Sequence, residues 1–171
     1  MIPWPDPPLR SGEVVLRPWR LDDAPALAAA WADEEIRRWT GVPRRRDEAA
    51  AERWIGADPR RRSAWLSLDL VVERGGAVAG EVGLSAFDEA RTTAEIGWWT
   101  GPDHRGLGVA TAAVRLVAGW AGAGLGLATV TARCAEANAA SIAVARHAGL
   151  QTVSTTGQVM LLCRRWSAAP T

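Results

Sequence analysis

The chain has 171 residues, 48% hydrophobic and 23% charged, with a formal net charge of +1, which fits one domain around a single core. All 20 basic residues are Arg and neither Lys nor Tyr occurs, which excludes Schiff-base chemistry, the phosphate-gripping Lys of a Walker loop, and any tyrosine acid. Residues 1–103 carry 14 Arg against 18 acidic residues, whereas residues 104–171 carry six Arg against Glu136 alone; the second half is expected to attract anions, on a scale suited to a small polyphosphate and not to nucleic acid, the competing reading being that the six Arg form a solvated face.

In chain order, residues 1–8 are proline-rich and lack the basic and apolar stretches of a secretory signal, so cytoplasmic residence is expected. The core is expected to run from about 12 to 166, with 1–11 and 167–171 as flexible ends of a single 1–171 domain. Residues 13–17 read as a strand ended by Pro18. Asp22, Asp23 and Pro25 open a helix carrying Leu27, Ala30 and Trp31 on one side. A second short helix is predicted at 34–39, and a third at 47–55 beyond the Gly41-Val42-Pro43 break. Residues 65–73 and 77–85 form a hairpin around Arg74-Gly75-Gly76.

A strand at 93–100 is followed by a glycine-rich turn and a helix with Val109, Ala112, Ala113, Leu116, Val117 and Trp120 in register, apolar nearly all round and so expected to be buried. Residues 128–134 read as a strand, 138–148 as a helix closed by Gly149, and 150–154 with 159–165 as a last hairpin. The apolar run Val159-Met160-Leu161-Leu162 reads as an edge strand, to be covered by a symmetric homodimer or by a helix of the same chain. This order implies an α/β or α+β domain with a mixed sheet. No stretch reaches the ~20 apolar residues of a membrane span. Cys134, Cys163, His104 and His147 match no zinc spacing, so no metal is expected.

The strongest chemical signal is Arg105-Gly106-Leu107-Gly108-Val109-Ala110-Thr111, between a strand and a buried helix. Gly106, Gly108 and Ala110 remove side-chain bulk, and the first-turn N–H groups are free to donate to phosphate oxygens. The competing reading is a turn that only lets helix and strand pack closely. A Rossmann turn is excluded, since its third glycine would fall at Thr111 and it would follow a first strand.

Arg105-x-x-Gly108-x-Ala110 resembles motif A of the GNAT superfamily of acyl-CoA N-acyltransferases. Asn138-x-x-Ser141 followed by Gly149-Leu150 resembles a second element of that family, with Leu where Phe is usual. The segment Leu16-Arg17-Pro18-Trp19-Arg20-x-Asp22-Asp23 and residues 33–40 look like the ribosomal-protein N-terminal (Rim-type) branch, so the resemblance covers about 12–166. It implies a mostly antiparallel sheet of about seven strands, splayed at the cofactor site and flanked by helices. It implies acetyl transfer from acetyl-CoA to a primary amine by direct attack; the alternative is a non-catalytic CoA-binding sensor or interaction module.

By the same resemblance, Trp98, Trp99 and Thr100 pair their backbone with pantetheine, Arg105 to Thr111 hold the pyrophosphate, and Asn138 approaches the pantetheine, unless it is only a helix N-cap. Ser141, or a water it holds, is expected as the acid near sulfur, against the alternative of a helix Ser bonded back to a carbonyl. Glu95 is the first candidate base and Glu81 the reserve.

The remaining candidates read as structural. His104 lies outside the phosphate-facing positions, His147 ends a helix, and Cys134 is a small core residue. Trp31, Trp39, Trp54, Trp65 and Trp98 could line an acceptor cleft, although most read as core. Arg44-Arg45-Arg46 and Arg60-Arg61-Arg62 read as solvated loop faces.

Overall fold

The computed structural model describes residues 1–166. Strands β1 (Arg10–Ser11) and β2 (Val14–Pro18) precede a 3-10 turn at Leu21–Asp23 and four short helices: α1 (Ala24–Ala32), α2 (Glu34–Trp39), α3 (Glu48–Gly56) and α4 (Asp58–Ser63). The hairpin β3 (Ser67–Arg74) and β4 (Ala77–Ser85) follows, then β5 (Thr93–Thr100), a 3-10 turn at Pro102–His104 and α5 (Val109–Leu125). The chain continues through β6 (Thr129–Ala135), α6 (Ala139–His147), β7 (Gln151–Thr156) and β8 (Val159–Arg165). All eight strands share one sheet in the order β1-β2-β3-β4-β5-β6-β8-β7, antiparallel except for β5 against β6. The count exceeds the expected seven because Arg10–Ser11 adds a short strand to β2.

Local chemistry explains the helix ends. Asp33 caps α2 by accepting from Ile36 N at 2.9 Å, and Asp47 caps α3 by accepting from Ala50 N at 2.8 Å. Gly126, at φ +70°, closes α5 in the left-handed conformation that glycine adopts without cost. Val109, Ala113, Val114, Val117, Ala118 and Ala121 form the buried stripe of α5 and pack on Leu70, Val82, Leu84, Ile96 and Val130 of the sheet. The helix is not buried all round: Arg115 faces solvent and donates to the His147 carbonyl at 2.6 Å. On the opposite face, Trp19, Leu27, Trp31, Ala51, Ile55 and Val71 make a second cluster beneath α1 and α3.

Three expectations are corrected. Val159–Arg165 is not an edge: β8 lies between β6 and β7, which pair with its backbone on both sides, while of its apolar run Leu162 is fully buried and Val159 stays exposed. The edge is β7, whose six residues are all exposed. The run Arg60-Arg61-Arg62 is not a solvated loop but part of α4, opened by Pro59 in its first turn. Arg62 there bonds Asp58 at 2.9 Å and the Ile2 carbonyl at 2.7 Å, with its guanidinium 4.0 Å over the Trp4 ring. The leader is consequently docked and not a free end, with Ile2 fully buried; residues 167–171 lie outside the described residues.

Two features of the sheet open its centre. β5 and β6 pair only at Thr93–Thr129, Ala94–Val130 and Glu95–Thr131, after which β6 follows β8 and residues 96–100 of β5 have no partner on that side. In β4 the register steps from Val72–Gly80 to Glu73–Val78, so Ala79 is an extra, bulged residue, and its carbonyl accepts from Gly101 N at 2.9 Å. At Gly80 a Cβ would lie 2.3 Å from the Trp99 carbonyl oxygen, so only glycine permits β4 and β5 to approach this closely.

Candidate active site

The gap between β5 and β6 leads into two cavities of about 390 Å³ each. They meet at Trp39, Thr40, Trp98, Trp99, Asn138 and Ser141, which line both.

One cavity runs along the glycine turn and the start of α5, past Arg105, Gly106, Gly108, Val109, Ala110 and Thr111. Gly106 and Gly108 have φ of +73° and +75°, and a Cβ on either would meet no protein atom within 4 Å, so the space over their backbone is open. Ala112 N is the first amide of α5 to bond back, to the Gly108 carbonyl at 3.0 Å, leaving the preceding first-turn N–H groups for an anion. This open cradle, with unpaired backbone of residues 96–100 beside it, fits a pyrophosphate followed by an amide-bearing arm such as that of CoA. Leu107 points away, exposed. The Arg105 guanidinium reaches Asp33 from Nη2 and the Thr100 carbonyl from Nε at 3.2 Å. His104, expected outside this region, lines the cavity as well.

The other cavity lies on the α1/α3 side, walled by Trp31, Trp39, Trp54, Trp98 and Trp99. Trp65 is elsewhere, edge-on to Phe87 at 5.4 Å. The strand register explains the cavity floor. Asp69, Gly83 and Gly97 form one cross-strand row, bracketed by the row Val71, Glu81, Trp99 and the row Ser67, Ser85, Glu95. Two glycines in the middle row make a trough with carboxylates around it.

Glu81 accepts from the indole N–H of Trp19 at 3.0 Å and of Trp99 at 3.1 Å. Burial, then the negative charge of Asp69, push the Glu81 carboxyl up to about 8, since both disfavour the ionised form. Glu95 also lines the cavity but is held by Arg133 Nε at 3.0 Å, in a pair whose side chains are 27% and 65% exposed; water screens such a pair strongly.

Ser141 occupies the third position of α6, and its backbone N–H donates to Asn138 Oδ1 at 3.0 Å. Asn138 is thus the N-cap of α6 and a lining residue of both cavities at once. The alternative bond of Ser141 Oγ to a helix carbonyl is absent among the described residues. Cys134 is buried, and burial followed by the Glu95 charge pushes its thiol up to about 11, which leaves little thiolate at neutral pH.

Sequence reasoning missed Asp69, Arg61, Arg133 and Trp19 as parts of this site. Asp69 carried a legible signal, a charge inside the apolar run Leu68-Asp69-Leu70-Val71. Trp19 carried none, because its contact with Glu81 spans 62 residues.

Residues 13–151 match the family model described as an acetyltransferase (GNAT) domain. The chain is 26% identical over 136 residues to the uncharacterized N-acetyltransferase p20 of Bacillus licheniformis, covering 78% of this chain and 76% of that protein. Among solved structures it is similar to RimL, a ribosomal L7/L12 alpha-N-protein acetyltransferase in complex with coenzyme A, with a TM-score of 0.83 and 16% identity over 92% of this chain and 97% of that one. It is also similar to the microcin C7 self-immunity acetyltransferase MccE in complex with acetyl-CoA and AMP, with a TM-score of 0.80 and 19% identity over 91% and 94% of the two chains.

Proposed function

The chain belongs to the GNAT acetyltransferase family, and from that premise we propose that it transfers the acetyl group of acetyl-CoA directly to the α-amine of a peptide or protein N-terminus, in the manner of the ribosomal-protein branch. The observation that carries this reading is the meeting of the two cavities at Trp98, Trp99, Asn138 and Ser141, with Glu81 on the acceptor side. Acetyl-CoA supplies the acyl group as a thioester. The first-turn N–H groups of α5 and the turn from Arg105 to Thr111 hold its pyrophosphate. The unpaired backbone of Trp98 to Thr100 takes its pantetheine amides as a strand would take a neighbour. Asn138 Oδ1 accepts from Ser141 N to cap α6, and its Nδ2 is the group that donates to the pantetheine.

An amine must lose a proton to attack, and a thiolate must gain one to leave. Glu81 takes the first role in place of Glu95, whose carboxylate is committed to Arg133. Ser141, whose hydroxyl bonds to no group among the described residues, gives the second proton to sulfur as the C–S bond breaks. Burial and the Asp69 charge raise the Glu81 carboxyl well above the usual range, which makes it a stronger base toward an ammonium. The activity in the name of RimL favours an α-amine acceptor.

No helix among the described residues is long and apolar enough to cross a membrane, and cytoplasmic residence, where acetyl-CoA is made, completes the proposal. For assembly, the uncharged and exposed β7 edge accommodates a symmetric homodimer, with two such strands pairing across a two-fold axis.

The test is acetylation of short peptides with a free α-amine, of the same peptides blocked at that amine but carrying Lys, and of polyamines, read by thiol release and by the mass of one added acetyl group. Acetylation of the free α-amine peptides is expected. Turnover confined to the Lys peptides or the polyamines overturns the acceptor assignment.

A further inference from the structure

Behind Glu81 lies a half-buried ion pair between Arg61 and Asp69, with side chains 18% and 15% exposed. Asp69 stands opposite Gly83 in the register of β3 and β4, with Glu81 two residues along on the same face of β4, a diagonal neighbour within reach of long side chains. A Cβ on Gly83 would lie 2.9 Å from Asp69 Oδ1, so the carboxylate leans over this glycine, and the glycine makes room for it. Asp69 Oδ2 accepts from Ser67 Oγ at 2.7 Å and from Arg61 Nε at 3.2 Å. Arg61 is fixed in turn, with Nη1 on the Trp54 carbonyl at 2.6 Å and its guanidinium 4.1 Å over the Trp54 ring.

The donors differ in kind between the two carboxylates. Burial raises the Asp69 carboxyl above its usual range, and the Ser67 hydroxyl and the Arg61 cation oppose that rise, whereas Glu81 has two neutral indoles. When two close carboxylates cannot both ionise, the one with the cation keeps the charge and the other takes the proton. We propose that Asp69, held ionised by Arg61, is a positioning residue that keeps a fixed negative charge beside Glu81 and thereby sets the pH at which Glu81 accepts a proton.

This rests on the reading of Glu81 as the base. The other charges around Glu81 are committed elsewhere. Glu95 and Arg133, which line the same cavity, pair with each other. Arg17, in the row of Val71 and Glu81, is divided between Asp23 at 2.7 Å and Glu73 at 2.6 Å. Asp58, near Asp69, is paired with Arg62.

Glu81 can be read without any acceptor, because the indole N–H groups of Trp19 and Trp99 bond to it. The experiment is a pH titration of those two N–H resonances in the ¹⁵N-labelled full chain, assigned through Trp19→Phe and Trp99→Phe. Both signals are expected to follow one midpoint near 8, which disappears in Glu81→Gln. Asp69→Asn should lower the midpoint by about one pH unit, and Arg61→Met should split it into two steps as the proton becomes shared.

A purely structural pair would lower stability and leave the midpoint where it is. An unchanged midpoint in Asp69→Asn overturns the proposal while Glu81 stands; should that variant not fold, an unchanged single step in Arg61→Met does the same. Absence in the wild-type chain of any step that Glu81→Gln removes overturns the tuning of Glu81 itself.

Discussion

Arg105 Nη2 donates to Asp33 Oδ1, the oxygen that also caps α2 by accepting from Ile36 N. Burial works against the Asp33 charge, but the Ile36 N–H and the Arg105 guanidinium together hold its carboxyl below the usual range. One carboxylate therefore ties the glycine turn before α5 to the helix that carries Trp39, which lines both cavities. The ion pair is partly exposed and contributes about 0.2–1 kcal/mol, whereas an Asp cap contributes roughly 0.5–2 kcal/mol. Thermal melts should thus show Asp33→Ala as clearly destabilised and Arg105→Ala as nearly wild type. Equal losses in the two variants would mean that the pair, and not the cap, holds α2.

The turn itself tolerates no side chain of the wrong kind. Gly108→Ala meets no neighbouring atom, so its cost is the left-handed backbone alone, about 1–2 kcal/mol, while acetyl-CoA binding is retained. Gly108→Glu adds a like charge where the pyrophosphate would lie, and calorimetry should then find acetyl-CoA binding abolished. Wild-type affinity in Gly108→Glu would place the cradle elsewhere.

Kinetics separate the candidate groups. Glu81→Gln should lower kcat by about 10²–10⁴, the range of a lost general base, and Ser141→Ala by roughly 10- to 100-fold, because a water partly replaces a hydroxyl. Acetyl-CoA affinity should be little changed in both. Glu95→Gln, which only frees Arg133 from an exposed pair, should stay within about 3-fold of wild type. A larger loss from Glu95→Gln than from Glu81→Gln would exchange the two roles.

Glu81 also predicts how stability depends on pH. Its carboxyl rises from 4.5 to about 8 on folding, so between those values the folded chain binds a proton that the unfolded chain has released. Stability contributed by the protonated group is complete below about 4.5 and declines as pH rises, until the loss levels off above about 8. The Tm of the wild-type chain should therefore fall between pH 6 and pH 9 by several degrees more than that of Glu81→Gln, as differential scanning calorimetry can measure. Parallel curves for the two chains would assign the decline to other groups.

Assembly is tested at β7. A dimer through that edge should sediment near twice 18.3 kDa at tens of micromolar, and Val153→Lys together with Ser154→Pro, a charge and a missing donor on the edge, should return it to the monomer. A wild-type monomer at that concentration removes the dimer.

Much of the fold was legible because its signals are local. Pro25 marks the first turn of α1, Gly41-Val42-Pro43 marks the break after α2, and Gly75-Gly76 mark a hairpin, each by chemistry within a few residues; Asp23 makes no cap bond to α1. The glycine turn was legible for the same reason, since φ above zero at Gly106 and Gly108 is a demand on the backbone alone. Where the reading failed, the missing information was nonlocal. An apolar run such as Val159 to Leu162 is compatible with an edge or an interior strand, and only the return of the chain to pair β8 with β6 decides between them. Arg61 and Arg62 read as solvated because a charge run gives no hint that Asp69, Asp58 and Trp4 will surround it.

The sequence by itself determined the order of strands and helices apart from β1 and α4, the glycine turn before α5 and the Asn138–Ser141 cap, all set by spacing along the chain. Only the tertiary structure decided which carboxylate is bonded by two indoles beside Asp69 and which pairs with Arg133. Glu81 and Glu95 are equivalent as strand residues. The bulge at Ala79, the register that sets Glu81 beside Trp99, and the arrival of Trp19 from just beyond β2 and of Asp69 from β3 place one of them between two indoles and a second carboxylate. Burial and neighbouring charge shift a proton equilibrium, and both are properties of residues brought together by long-range pairing.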